Sequence, residues 1–458
     1  MIKHILLGLT ALSLTACSLD IKNESEISGD NIINTTAKAT SILAQAYYTL
    51  PVNSPTFTML SEDLQPTYLL EYNSDQKQYY IWEERALTSS AKSYWDSNYN
   101  AIVHLNTIIH TEQNIQNKDA EWDYIKGNTL ALKAYIYFDL LQLYSDRYTP
   151  EAPGVLRKDN LEIETNKRLT QKESIEYINT MLKEGLSLMK DYPSQKVYFI
   201  TYKAAKQLEA KIALHTGQYS EAEHIITEIM QDAKALPNTP DAYRALWQYK
   251  ELTPSNQLYW LYDFKSNPNE YLRTEKTGDI MHISYLNEFT SQDIRYEVSQ
   301  YNYIMKATGT DKATRKLLGK YKTNYDDREQ RKIVLSRNTE SHFILIESLI
   351  EQNKLQEATA RLNEFLTSVN NTPIEEIHSQ QVLRLIFRAE KQKEFIGEKV
   401  NFFDLKRWNI EITRYLSDSN KKLSTIAPTD FRWTWPLPLS EIKHNPNIVQ
   451  NNGWPSIE

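Results

Sequence analysis

Residues 397 to 409 read GEKVNFFDLKRWN, and the interpretation of this block decides how the chain closes. On a helix, Asp404 and Arg407 stand at i, i+3 and can pair, while Phe402, Leu405 and Trp408 line one apolar face. A cluster of this kind near a C-terminus could be catalytic, a binding surface, or the clasp of a fold. The clasp is the preferred reading, because the charges can satisfy one another where a terminal helix docks on a scaffold.

Upstream of the block, from about Thr36 to Leu366, apolar residues recur with helical spacing. YWDSNYNAIVHLNTII aligns Trp95, Tyr99, Ile102 and Leu105 on one face, and GNTLALKAYIYFDLLQLYSDRY does the same with Leu130, Ala134, Tyr137, Phe138, Leu141 and Tyr144. In LEAKIALHTGQYSEAEHIITEIM, Leu208, Ala210, Leu214, Gly217, Tyr219 and Ala222 approximate a tetratricopeptide helix-turn-helix, with Gly217 allowing the turn. FILIESLIEQNKLQEATARLNEFL echoes it with Asn353 in the glycine's place, and Asn tolerates the same left-handed backbone. The fold class expected is mainly α, a tetratricopeptide-like scaffold of helical pairs with an irregular, loop-rich ligand-facing region and few short strands.

The period fades between about Leu236 and Arg337, where NQLYWLYDF reads as a short strand. A long irregular segment rich in aromatics points to function rather than disorder. The same holds for residues 64 to 85, LQPTYLLEYNSDQKQYYIWEER. The divisions expected are a leader over 1–16, a tether over 17–35, an N-terminal helical scaffold over 36–235, an irregular region over 236–336 and a closing helical segment over 337–458.

The 458 residues are 41% hydrophobic and 24% charged, enough to fold without covalent staples. A net charge of -7 leaves no excess of cation for phosphates, so nucleic acid is not an expected partner. The single cysteine excludes a disulfide framework and every Cys-based zinc pattern. It follows Lys3, His4, an apolar run from Ile5 to Leu14, and the small residues before Cys17, the layout of a secretory signal too short to span a bilayer. Leu14-Thr15-Ala16-Cys17 resembles a bacterial lipobox, which implies cleavage before Cys17 and its acylation; a buried free Cys behind an ordinary signal is the alternative. The polar, acidic stretch after Cys17 suits a flexible tether.

No nucleophile elbow, P-loop, dinucleotide fingerprint or HExxH helix occurs. The nine His are dispersed, none paired at i, i+4, and the adjacent acids Asp326-Asp327 and Glu375-Glu376 point in different directions. No catalytic residue, metal site or cofactor is expected.

EKQKEFIGEKVNFFDLKRW resembles the C-terminal signature of the SusD/RagB family of outer-membrane nutrient-binding lipoproteins of Bacteroidetes. Glu390, Glu394, Phe395, Glu398, Phe402, Phe403, Asp404, Leu405, Arg407 and Trp408 match; Lys399 stands where the family usually has Gly, and Asn401 where it usually has Arg. Other stretches agree in order: the lipobox, Trp95, Tyr99, Ile102 and Asn106, LALKAYIYFDLLQLYSD, PGVLR, YKAAKQLEAKIALHTGQY, and the closing PLPLSEIKHNPNIVQNNGW.

The resemblance implies a protein lipid-anchored to the outer face of the outer membrane, lidding a SusC-like TonB-dependent transporter and capturing an oligomeric nutrient. Glycan is the first expectation, oligopeptide the second, and a glycoside hydrolase on a helical scaffold the third; the last would need two carboxylates facing each other across a cleft. A glycan site needs ring faces to stack on sugars and polar groups to bond hydroxyls. The ring-bearing residues expected to serve are Tyr72, Tyr79, Tyr80 and Trp82 from the first irregular segment, with Tyr285, Tyr296, Tyr301 and Tyr303 from the second. Asp293 and Arg295 are expected to form a structural turn pair, with Arg295 reaching an anionic ligand as the alternative.

Overall fold

The computed structural model describes residues 33–51, 54–67, 74–231, 236–265, 281–283, 289–304, 314–321, 332–375, 377–416 and 421–456. Cys17, Tyr72 and Tyr285 lie outside them. The helices in chain order are α1 (Thr36–Thr49), α2 (Ser54–Leu60), α3 (Ser74–Tyr80), α4 (Glu84–His110), α5 (Ala120–Tyr144), α6 (Gln171–Met189), α7 (Tyr202–His215) and α8 (Tyr219–Met230), followed by α9 (Pro240–Trp247), α10 (Tyr296–Ser299), α11 (Asn338–Glu351), α12 (Leu355–Ser368), α13 (Gln380–Glu394), α14 (Val400–Arg407) and α15 (Leu439–His444). Polar caps set several starts. Asp119 accepts from the amides of Glu121 and Trp122, and Thr170 with Glu173 forms a reciprocal capping box, each cap contributing about 1 kcal/mol.

The long helices stack in sequence, α1 on α4, α4 on α5, and so on through α6 and α7 to α8. Gly127 and Gly185 let α5 and α6 nearly touch, since a Cβ on Gly127 would lie 2.8 Å from the Gly185 carbonyl oxygen. The chain then leaves the stack and returns, and α11 packs directly on α8 before pairing with α12. The expected mainly α scaffold of helical pairs is therefore present. Its two pairs with the tetratricopeptide-like pattern turn alike. Gly217 has φ +75° and Asn353 φ +60°, with the Gln218 amide donating to Ala213 at 2.8 Å and the Lys354 amide to Leu349 at 2.9 Å. Lys354 also reaches across to Glu223 on α8, at 2.7 Å.

The strands are short and, among the described residues, pair only two by two. β1 (Leu64–Pro66) meets β5 (Met281–Ile283), β2 (Pro153–Leu156) meets β3 (Arg168–Thr170), β4 (Leu258–Tyr262) meets β8 (Ile333–Arg337), β6 (Gln300–Ile304) meets β7 (Thr314–Leu318), and β9 (Ile412–Tyr415) meets β10 (Lys422–Ile426), all antiparallel. The β1 to β5 pairing, Leu64 opposite Ile283, joins the two irregular segments that are far apart in sequence.

The 397–409 block closes this assembly as a clasp. Arg407 pairs with Asp404 at 2.8 Å and reaches Glu347 of α11 with both terminal nitrogens, at 2.7 and 2.8 Å. The Trp408 indole donates to the same carboxylate at 2.6 Å, and Lys391 of α13 meets Asp404 at 2.7 Å. Phe402, Leu405 and Trp408 are buried. The two positions that depart from the signature each have partners of their own: Lys399 bonds Asp139 and Tyr94 on the N-terminal helices, and Asn401 donates to Asp63 at 2.7 Å. Behind the clasp, Arg295, Arg337 and Lys320 are buried among Asp293, Glu390, Glu394 and Glu398, with Arg337 to Glu394 at 2.6 Å and Lys320 to Glu398 at 2.7 Å. The expected Asp293 and Arg295 pair is part of that network, at 2.6 Å.

Candidate functional site

The ring positions expected from the sequence divide by burial. Tyr80 and Trp82 are each 1% exposed. The short α3 is followed by Trp82 at φ +57°, and both rings lie inside. Tyr80 carries the Arg414 guanidinium 4.6 Å from its ring and accepts from the Tyr415 amide at 2.9 Å, whereas the Trp82 indole donates to the Leu60 carbonyl at 3.1 Å and its ring meets Trp433 edge-on at 4.7 Å. Both tie the first irregular segment to the C-terminal one, and neither offers a ring face to solvent. Tyr79 is half-buried, its hydroxyl accepting from Ser90 at 3.1 Å.

In the second segment, Tyr296 and Tyr301 are half-buried. The Lys316 ammonium lies 5.8 Å from the Tyr296 ring. Tyr301 and Tyr303 alternate with Asn302 along β6, opposite Leu317 and Arg315 of β7. The side chain of Tyr303 is outside what is described.

A denser group of rings stands elsewhere, where α1 meets the loop before α7 and the end of β4. Tyr47 is fully buried: its hydroxyl donates to Asn128 at 2.6 Å and accepts from the Ile200 amide at 2.8 Å. Over it lies Phe264, stacked at 5.2 Å, with Tyr198 edge-on to Phe264 at 6.1 Å and Tyr262 tilted at 5.7 Å. Tyr48 is 52% exposed, and the exposed Lys265 holds its ammonium 4.9 Å from the Tyr48 ring. Burial raises the Tyr262 hydroxyl pKa, with Tyr48 nearby adding to it. Tyr48, Tyr198 and Phe264 thus present a partly open aromatic surface on a rigid aromatic base, with Lys265 and the exposed Asp263 beside it as polar groups. Reading the segments for loss of helical period missed this patch because Tyr48 sits in a regular helix. In sequence, Tyr47 and Tyr48 are simply adjacent helical residues pointing about 100° apart, and what packs over them settles which ring the core takes.

A cavity of about 120 Å³ lies between the scaffold and the clasp, with Leu50, Pro51 and Tyr262 among its walls. Four acids line it, and each is paired: Asp139 with Lys399, Glu340 with Lys211 at 2.6 Å, Glu398 with Arg337 at 3.0 Å, and Asp404 with Lys391 at 2.7 Å. For Glu398, burial alone would push the pKa up, but Arg337 and Lys320 outweigh it and lower it. Carboxylates each paired with a cation suit a structural network better than an acid and base pair. Among the described residues no group of three His, Cys, Asp or Glu is placed to hold a metal, and no helix is long and apolar enough to cross a membrane.

Comparison with known proteins gives this architecture its relatives. Residues 18–214 match a family model described as starch-binding associating with outer membrane, and residues 223–454 match the model of the SusD family. A search of curated proteins returned no match. Among solved structures, a SusD superfamily protein from Bacteroides vulgatus ATCC 8482 superposes with a TM-score of 0.77 at 20% identity, over 92% of this chain and 100% of that one. A SusD superfamily protein from Bacteroides thetaiotaomicron VPI-5482 gives 0.75 at 20% identity, over 91% and 99%. A SusD-like carbohydrate binding protein from Bacteroides vulgatus ATCC 8482 gives 0.72 at 18% identity, over 91% and 97%. At these identities the structural likeness speaks for the fold, while the family model spans more than half of the sequence. With its helical pairs, its returning α11 and α12 and its closing clasp, this chain belongs to the SusD family.

Proposed function

We propose that this chain is a binding protein, not an enzyme, anchored in the outer membrane through an acylated Cys17, that captures an oligosaccharide and passes it to a SusC-like TonB-dependent transporter. The observation that carries this reading is the partly open set of rings, exposed Tyr48 with half-buried Tyr198 and Phe264, on a scaffold of the SusD family. Ring faces stack on the apolar C–H faces of sugars, and Lys265 and Asp263 can bond hydroxyls. The starch-binding description of the matched model and the carbohydrate-binding relative support a glycan over a peptide. Tyr296 and Tyr301 are proposed as further contacts, with Tyr72, Tyr285 and Tyr303; Tyr79 is proposed as a flanking contact. Tyr80 and Trp82 are assigned a supporting role behind the first segment, because their rings are packed inside.

Stacking and hydrogen bonds of this kind give micromolar to millimolar affinity, about 4 to 8 kcal/mol, enough for a ligand that must be released again. The test is a screen of the mature protein against glycan and peptide pools, followed by Tyr48→Ala and Phe264→Ala. Glycan binding weakened by about tenfold or more in both variants is the expected result. Peptide binding alone, or glycan binding indifferent to both substitutions, would overturn the assignment. Cys17→Ala should move the protein from the membrane fraction to the soluble one, and continued retention would count against the anchor.

A further inference from the structure

A second cavity, of about 380 Å³, opens where the turn of the α7 and α8 pair meets the clasp. Its volume falls in the lower range of clefts that hold small ligands. Five basic side chains line it, Arg147, Arg384, Arg388, Lys406 and Arg407, against two carboxylates, Glu347 and Glu351; burial brings Lys406 down to about 7, so the arginines carry most of the charge. Both carboxylates are engaged. Arg407 grips Glu347 as described above, and Arg384 grips Glu351 with two bonds of 2.7 and 2.8 Å.

Three basic side chains are left without a carboxylate inside the cavity. Lys406 donates to the carbonyl oxygens of Gln142 and Ser145, each at 2.7 Å. Arg147 donates through Nε to the Lys406 carbonyl at 2.7 Å, and its one acidic neighbour, the exposed Asp146, is 3.5 Å away. Arg388 lies over the Trp408 ring at 4.9 Å. Among the described residues, Arg147 Nη2, Arg388 Nε and His215 Nε2 are buried with no hydrogen-bond partner. Burial lowers the pKa of Arg388, and Arg384 and Arg407 lower it further against the pull of Glu347 and Glu351. Burial, with Arg407 and Lys406 close by, pushes His215 down to about 3, so its ring is neutral.

Buried polar groups normally find partners, and a donor left without one costs about 1–3 kcal/mol. Two such donors, on Arg147 and Arg388, stand with the neutral His215 ring around one cavity in a field of excess positive charge, and are matched by an acceptor that arrives with a ligand. Arginine suits a planar oxyanion because it is weakly hydrated and offers its N–H groups in a fixed fork. The cavity is also larger than a bare anion needs, and Tyr148, Tyr219 and Gln142 supply ring and amide surface beside the cations.

We propose that this cavity binds a carboxylate-bearing sugar unit, with its carboxylate between Arg147 and Arg388 and its ring against Tyr148 and Tyr219. This is a site separate from the Tyr48 patch. Its sugar part rests on the glycan reading above, whereas its anion part does not.

The test is calorimetric or NMR titration of the mature protein with methyl β-glucuronide, methyl β-glucoside and inorganic sulfate. The glucuronide should bind at least about tenfold more tightly than either of the others. Arg147→Gln and Arg388→Gln should each reduce its affinity about tenfold or more; because Arg147 Nε also bonds the Lys406 carbonyl and Arg388 packs on the Trp408 ring, each variant is first shown by its melting curve to be folded at the titration temperature. Tyr48→Ala should leave glucuronide binding unchanged, so loss of neutral-glycan binding in that variant is read separately. No glucuronide binding, equal binding of glucuronide and glucoside, or binding unaffected by both arginine substitutions would overturn the site. Sulfate binding as tightly as the glucuronide would overturn its sugar part.

Discussion

Replacing Glu347 by Gln should destabilise the protein by on the order of 3 kcal/mol at pH 7, and most of that loss should be electrostatic. Glu347 is buried, and it takes two bonds from Arg407 and one from the Trp408 indole. Burial alone would push its carboxyl up, but the charges of Arg407 and Lys391 and the bonds from Arg407 and Trp408 prevail and hold it at about 2, against an ordinary 4.5. At 1.36 kcal/mol per pH unit the difference is on the order of 3 kcal/mol, which agrees with the roughly 3–5 kcal/mol measured when one partner of a buried pair is removed. Because the folded value is depressed, the contribution is complete above about 4.5 and fades as pH falls toward 2; by pH 4 about a quarter of it should be gone. With an unfolding entropy near 2.1 cal/mol/K per residue, the loss corresponds to about 3 to 4 °C in melting temperature for a chain of this length. Thermal and urea unfolding of the wild type, Glu347→Gln, Arg407→Gln and the double variant, between pH 7 and 4, measure it. The double variant should fall well short of the sum of the singles. A Glu347→Gln loss below about 0.5 kcal/mol, or one that does not shrink with pH, would refute the view that this carboxylate is the electrostatic pin of the clasp.

Gly217→Ala isolates backbone conformation, since a Cβ there meets nothing within 4 Å while φ is +75°. It should cost about 1 kcal/mol by urea titration, whereas Asn353→Gly, at φ +60°, should be neutral or slightly stabilising. Tyr47→Phe leaves Asn128 and the Ile200 amide short of a partner in the core and should lower stability by about 1–3 kcal/mol, with an unchanged far-ultraviolet spectrum. Asp63 is the reverse case to Glu347: burial pushes its carboxyl up to about 7, against the bonds from Asn401, Gly397 and Ser61. A raised folded value favours the protonated form, so its contribution is full below the ordinary 3.8 and is lost as pH rises toward 7. The stability of Asp63→Asn relative to wild type should therefore improve between pH 4 and 8, as read from paired melting curves.

Local pattern determined much of this protein. The helical period gave the stacked scaffold, and Gly217 and Asn353 marked two matching turns, because this tight helix-to-helix turn closes through one left-handed residue, a conformation that Gly and Asn tolerate. The 397–409 block announced itself as a clasp through the i, i+3 pairing of Asp404 with Arg407 and one apolar face, both of which are properties of a single helix. The partners were another matter. That Arg407 and Trp408 share Glu347, that Lys399 reaches Asp139, and that Asn401 reaches Asp63 depend on segments brought together from across the chain. Ring exposure was equally out of reach: Trp82 and Tyr48 are both aromatic residues near turns or caps, yet one is 1% exposed and the other 52%. A side chain's type fixes what it can bond or stack against, but the share of its surface left to solvent is set by what packs over it. Only the tertiary fold decides that, and with it which rings and which arginines are free to meet a ligand.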